Sequence, residues 1–309
     1  MTPRRVIVLL SLLLSMKCFA DTTVNVDYVE KSVVFLYAPD ETGTLKPDGT
    51  GFVVLVPLKS EPGRAYKLLV TARHMVDPQW AGCPSGPSKL YVRFNTKQFD
   101  PKKDETGVED IDLAGDIAVR KEWFVSEDPE VDAAILVLQG SIVDKYDVEG
   151  VNISDFPTPE ETKELKEGAD VVSAGLLEGA SGKKRNYPIF KFGNVSSIPD
   201  EPADAPKCMG QNPTPAHFLK LWFIAASLVP GNSGSPIYYA PRMFSGKRAF
   251  LLGVQSMSFI PWDVAGMTPI EYVYQLIEKL NLPDADLRRN VQPAAQKPSE
   301  QPKPEEPKK

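Results

Sequence analysis

Short runs of branched and aromatic apolar residues, each soon ended by proline, glycine, aspartate or asparagine, constrain this chain more than anything else in it. Residues 32–37, 51–56, 66–71, 89–94 and 133–138 read as strands, with Pro39-Asp40 and Pro47-Asp48-Gly49 as turns. A second block runs through 170–175, 192–195, 218–225, 235–239 and 250–256. Short strands at this spacing favour a barrel or sandwich over an alternating α/β arrangement. Gly51, inside Thr50-Gly51-Phe52, marks a bulge or a close backbone approach.

The two strand blocks define halves at 21–150 and 166–265, joined by a connection over 151–165. In that connection Thr158-Pro159-Glu160-Glu161 is a helix start, with Thr158 as cap, proline at the first position and Glu161 closing a capping box. Thr268-Pro269-Ile270-Glu271 opens another capped helix within 266–283, and Ile270, Val273, Tyr274 and Ile277 give it one apolar face. The segment 284–309 is dominated by proline, lysine, glutamate and glutamine, so a disordered tail is expected there.

At the other end, Arg4 and Arg5 precede an apolar stretch over 6–16 and then Cys18-Phe19-Ala20, the pattern of a signal peptide over 1–20. The expected location is secreted or periplasmic, and with no longer apolar run, no stable membrane insertion follows cleavage. The net charge of −6 falls by the three basic charges of Arg4, Arg5 and Lys17 to −9, which argues against nucleic acid as a partner. Cys83 and Cys208 then remain, both in loop-like surroundings. An oxidising compartment permits a bridge between them, worth about 4–5 kcal/mol in the chain-entropy model, and two free thiols are the alternative. Two histidines and two cysteines are too few for a zinc site of those ligands, and no cofactor is expected.

The chemistry concentrates in Gly231-Asn232-Ser233-Gly234-Ser235-Pro236. A serine between glycines, ahead of a strand, fits a nucleophile on a tight turn, with the Gly231 and Ser233 amides converging as an oxyanion hole. Such a hydroxyl needs a base, and the strand Lys67-Leu68-Leu69-Val70-Thr71 delivers His74 just past its end. His217 reads as structural or pocket-lining instead. The imidazole needs an orienting carboxylate: Asp132, set before an apolar strand, is the candidate, with Asp116 in a similar context as its rival.

Together Thr71-Ala72-x-His74, Asp132-x-Ala134 and Gly231-Asn232-Ser233-Gly234-Ser235-Pro236 resemble the trypsin-like (chymotrypsin-fold) serine peptidases, in that family's order of histidine, aspartate, serine. The resemblance implies an all-β fold of two six-stranded antiparallel β-barrels with a C-terminal α-helix, the site lying between them. It implies a polypeptide substrate and catalytic roles for His74, Asp132 and Ser233. The segment 254–258 is similar to the strand that pairs with substrate in this family. Ser227, Ser256 and Ser258 are the substrate-binding candidates, and Ser227 lacks the acid that tryptic specificity uses. Asn232 stands where the animal enzymes have aspartate, and no Ile-Val-Gly-Gly activation sequence is present, so the pattern is closer to bacterial Deg/HtrA-like and glutamyl endopeptidase groups. The chain leaves no room after Pro283 for a PDZ domain. A catalytically silent binding protein on the same fold, and an esterase using the same machinery, are the other readings.

Overall fold

The first half of the chain builds one sheet whose central strands are apolar on both faces. Its strands are β1 (Val33–Pro39), β2 (Leu45–Pro57), β3 (Ala65–Thr71), β4 (Tyr91–Asn95), β5 (Val108–Asp112), β6 (Phe124–Val125), β7 (Ala134–Leu138) and β8 (Val151–Asn152). Hydrogen bonds order them β5-β4-β1-β2-β3-β7-β6, and β8 adds in parallel to β2. Because side chains alternate along a strand, Val33, Phe35 and Tyr37 enter one core while Val34, Leu36 and Ala38 enter another. The structure, a computed structural model, describes residues 24–289 apart from 82–88, 101, 104–106, 114–118, 120–121, 206–216, 227–228, 230, 243–244 and 260–261, and apart from the side chains of Val143 and His217. The expected leader, most of the expected tail, Cys83, Cys208, Asp116, Ser227 and the His217 side chain lie outside that description.

The second half closes on itself. Strands β9 (Asp170–Gly175), β10 (Ile189–Ser197), β13 (Trp222–Ala225), β14 (Pro236–Tyr239), β15 (Phe250–Phe259) and β16 (Val264–Pro269) form a barrel in the order β10-β13-β16-β15-β14-β9. A separate ribbon pairs β11 (Ala203–Ala205) with β12 (His217–Leu219). Val171, Val195, Ile224, Ile237, Leu252 and Met267 fill the barrel, while Val172, Ala174, Leu176, Leu251 and Val254 turn outward onto the β1–β2–β3 core. One continuous apolar layer therefore fastens the two halves together. The all-β class and the C-terminal helix stand; the second half is the six-stranded closed barrel, and the first half is an eight-stranded sheet that includes two-residue strands.

Among the described residues four helices flank the sheets: α1 (Val26–Ser32), α2 (Ile142–Lys145), α3 (Pro159–Glu164) and α4 (Ile270–Lys279). The capping box of α3 is present, Thr158 Oγ1 accepting from the Glu161 amide at 3.2 Å and Glu161 accepting from the Thr158 amide at 2.8 Å. Helix α4 buries Ile270, Val273, Leu276 and Ile277, with Tyr274 only partly covered. Its start differs from expectation: Pro269 is the cap position and Thr268 belongs to β16, where its hydroxyl has another partner. Residues 284–289 also depart from the expected tail. The Asp286 amide donates to Pro57 O at 2.7 Å and Arg289 Nη1 to Glu271 Oε2 at 2.6 Å, so this stretch is tied to β2 and α4.

Pro47-Asp48-Gly49 is the third departure. It lies inside β2 rather than in a turn, and the β1–β2 register jumps from Leu36↔Gly49 to Tyr37↔Pro47. Asp48 is the extra residue of a β-bulge. Gly51, by contrast, marks a close approach, since a Cβ there would stand 2.9 Å from Leu69 and 3.1 Å from the Val70 carbonyl.

Candidate active site

Strand pairing alone brings the histidine to the aspartate. Antiparallel β3 and β7 are in register at Thr71↔Ala134, so the residues following Thr71 face those preceding Ala134. The chain leaves β3 through a 3₁₀ turn, Arg73–Met75, with His74 at its centre. Arg73 anchors that turn: its guanidinium bonds Asp77 Oδ2 at 3.0 and 3.2 Å and Ser126 O at 3.1 Å, and lies over the Trp80 ring. Asp132 then receives His74 Nδ1 at 2.8 Å on one oxygen and the His74 amide at 2.9 Å on the other.

The second half completes the carboxylate's surroundings. Ser256 donates its hydroxyl to Asp132 Oδ2, and Thr268 Oγ1 donates to the Asp132 carbonyl at 3.1 Å. An enclosed carboxylate is costly unless donors surround it, and here an imidazole, an amide and a hydroxyl do so. The Asp132 side chain is 2% exposed, while that of His74 keeps 27%. Burial alone would raise the carboxyl pKa, but the charge and hydrogen bond of His74, with the Ser256 hydroxyl and the His74 amide, bring it below the usual carboxylate range. For His74, burial works against the charged form, yet the charge and hydrogen bond of Asp132 and the charge of Asp48 outweigh it and raise the pKa. Holding the proton on Nδ1 leaves Nε2 as the basic nitrogen.

Ser233 is carried on a turn that only glycine permits at two positions. Gly231 and Gly234 have φ of +92° and +84°, and a Cβ on Gly234 would overlap the Thr50 carbonyl and the Thr71 hydroxyl. Both halves hold this turn. Thr50, fully buried on β2, donates its amide to Ser233 O at 2.8 Å and its hydroxyl to Gly231 O at 2.7 Å. That hydroxyl also accepts the Leu176 amide at 3.0 Å, and the Thr50 carbonyl accepts Thr71 Oγ1 at 2.7 Å. From within, buried Asn232 donates Nδ2 to Leu176 O at 2.7 Å and accepts the Val229 amide at 2.9 Å. The Gly231 and Ser233 amides have no backbone partner among the described residues.

The structure thus places His74 against Asp132 and brings the Ser233 turn beside them. Ser233 O lies 3.2 Å from where a Cβ on Gly49 would be, and Met75, the neighbour of His74, presses on the same glycine. The half-buried Ser233 hydroxyl makes no hydrogen bond among the described residues. Ser256 faces inward to Asp132 rather than outward to a ligand. Ser258 accepts from Gln255 Nε2 at 3.1 Å and is partly exposed. Past Gln255 the edge of β15 that β14 had occupied has no partner strand among the described residues, whereas its other edge stays paired to β16 through Phe259. Among the described residues no group of three or more ligand-type side chains is arranged for a metal ion.

Three residues here escaped the sequence reading: Thr50, Thr268 and Asp48. Thr50 had one legible signal, its place beside Gly51 in a strand. Asp48 looked like a turn former, yet its carboxylate lies within electrostatic range of His74 and of Glu178.

The description of one family model, trypsin-like peptidase domain, fits residues 49–240, more than half of the chain. No curated protein matches the chain significantly. Among solved structures, the MamO protease domain from Magnetospirillum magneticum is 17% identical, with 80% of this chain and 96% of that one covered and a TM-score of 0.47. The Rv3671c protease from M. tuberculosis in its active form is 19% identical, with 81% of each chain covered and a TM-score of 0.45.

Proposed function

The chain belongs to the trypsin-like peptidase family, and we propose that it is a serine endopeptidase acting outside the cytoplasm, with Ser233 as nucleophile, His74 as base and Asp132 as the acid that orients it. The observation that carries this reading is the Nδ1–Oδ2 contact of 2.8 Å between His74 and Asp132, which fixes the tautomer and points Nε2 away from the carboxylate.

An extended substrate adds to the open edge of β15 past Gln255, gaining main-chain hydrogen bonds and presenting its carbonyl to Ser233. Nε2 of His74 takes the hydroxyl proton as Oγ attacks, and the negative oxygen settles on the amides of Gly231 and Ser233, which have no backbone partner among the described residues. His74 returns its proton to the leaving amine, and water repeats the sequence on the acyl-enzyme. Ser227 and Ser258 remain candidates for the wall of the pocket that receives the side chain before the scissile bond. The role of Ser256 is to hold Asp132 through its side chain while its backbone lies on the substrate edge.

The test is covalent. A fluorophosphonate probe labels Ser233 of the mature protein, and Ser233→Ala abolishes labelling and lowers peptide turnover by several orders of magnitude. A protein that takes no label and cleaves no peptide is the silent binding protein of the same fold.

A further inference from the structure

Asp48 is set apart from the other acids of the molecule by where the bulge puts it. As the extra residue between Leu36↔Gly49 and Tyr37↔Pro47, it has no cross-strand partner, and bulges beside active sites commonly re-aim a side chain. It stands two residues before Thr50, whose hydroxyl reaches the Gly231 carbonyl in the second half of the molecule. Gly49, next to it, is pressed between Met75 and the Ser233 carbonyl. Asp48 therefore stands at the rim of the site, beside both the imidazole and the nucleophile turn.

Its carboxylate is half-buried and has no hydrogen bond or ion pair among the described residues. Most other half-buried acids here are matched: Asp77 with Arg73, Asp110 with Arg93, Asp128 with Lys220, Asp147 with Arg185. Burial and the nearby Glu178 both work against its charged form, and only the charge on His74 favours it. Glu178 opens the turn whose backbone amide lies 3.3 Å from where a Cβ on Gly231 would be, so a second acid borders the same flank of the oxyanion turn. A carboxylate with so little solvation gains most from a cation that arrives with the ligand.

On the binding mode proposed above, residues before the scissile bond lie along the open edge of β15. The Ser233 carbonyl is bordered by Gly49, with Asp48 next to it in the chain, and that side is left for the residues after the bond. We propose that Asp48 makes the enzyme prefer substrates with lysine or arginine just after the scissile bond, in the leaving portion of the peptide. This rests on the serine endopeptidase reading above and adds the substrate class to it.

The experiment compares peptides that share everything before the scissile bond and carry Arg, Gln or Glu in the first or second position after it. On the alkaline plateau of its kcat/KM profile, the native enzyme is expected to favour Arg over Gln roughly tenfold in kcat/KM, with Glu poorest. Asp48→Asn brings the Arg-to-Gln ratio to within about twofold, and Asp48→Arg reverses the order in favour of Glu. As a readout independent of turnover, the Arg peptide binds Ser233→Ala more tightly than it binds the Ser233→Ala, Asp48→Asn double variant. Far-UV circular dichroism verifies that the variants are folded. Flat ratios in an enzyme whose Ser233 takes the fluorophosphonate overturn the role of Asp48 alone; absence of both label and cleavage overturns the peptidase reading and this one with it.

Discussion

Thr50 and Gly231 lie 181 residues apart and are joined by a 2.7 Å hydrogen bond from the threonine hydroxyl to the glycine carbonyl. The bond fixes one face of the Gly231–Asn232 peptide from the opposite half of the molecule. The same hydroxyl accepts from Leu176, and the Thr50 amide holds the Ser233 carbonyl. One residue of β2 thus holds the Ser233 turn through both its side chain and its amide.

Thr50→Val keeps the shape and removes the hydroxyl. The Leu176 amide and the Gly231 carbonyl are then buried without that partner, at a cost of about 1–3 kcal/mol in denaturant unfolding. With the turn free to drift, kcat falls roughly tenfold to a hundredfold while KM changes little. Thr50→Ser restores most of both. A valine variant with full kcat would show that the turn needs no help from β2.

Gly234→Ala tests the turn from its other side. The added methyl overlaps the Thr50 carbonyl and Thr71 hydroxyl at a φ of +84°, so two costs combine. A loss of at least about 3 kcal/mol is expected, with the midpoint of thermal unfolding lowered accordingly. Gly43 offers the control: it too has positive φ, +82°, but nothing stands near its missing Cβ, so Gly43→Ala pays only the backbone strain.

The pH profile follows from the His74 environment. Its pKa is raised, so kcat/KM should climb with pH through a midpoint above the usual histidine value of about 6.5. Asp48→Asn deletes one of the charges that raise it, and the midpoint moves down. Stability has the opposite dependence for this group: the His74 contribution is complete below the unfolded-state pKa and disappears as pH rises through the folded one. For Asp132, whose pKa is lowered, the contribution is present above the unfolded carboxylate value and is lost as pH falls through the folded one. The pair therefore stabilises most in mildly acidic solution, between the two unfolded values. An Asp48→Asn profile that superimposes on the native one would remove Asp48 from the surroundings of His74.

Local chemistry was legible where it stayed local. The apolar runs that became β3 and β7 were plain, and with them the contexts of His74 and Asp132; the capping box at Thr158 and Glu161 formed as written. What could not be read was which partner a residue would find far away. Thr268 ahead of Pro269 carries the same local signal as Thr158 ahead of Pro159, yet it lies in β16 and bonds the Asp132 carbonyl. Strand β16, Val-Ala-Gly-Met-Thr-Pro, is weakly apolar and is a strand because β13 and β15 flank it. Pro47-Asp48-Gly49 has turn composition, but pairing of β1 on either side of it draws the segment into the sheet and leaves Asp48 as the surplus residue.

The covering of Asp132 also bears on how such a chain is made. Its two hydroxyl donors come 124 and 136 residues later, Ser256 to the carboxylate and Thr268 to the backbone carbonyl, so a ribosome has emitted both strand blocks before these bonds form. A product interrupted earlier holds His74 and Asp132 without those two donors. The His74–Asp132 pair is thus enclosed only once β15 and β16 have followed.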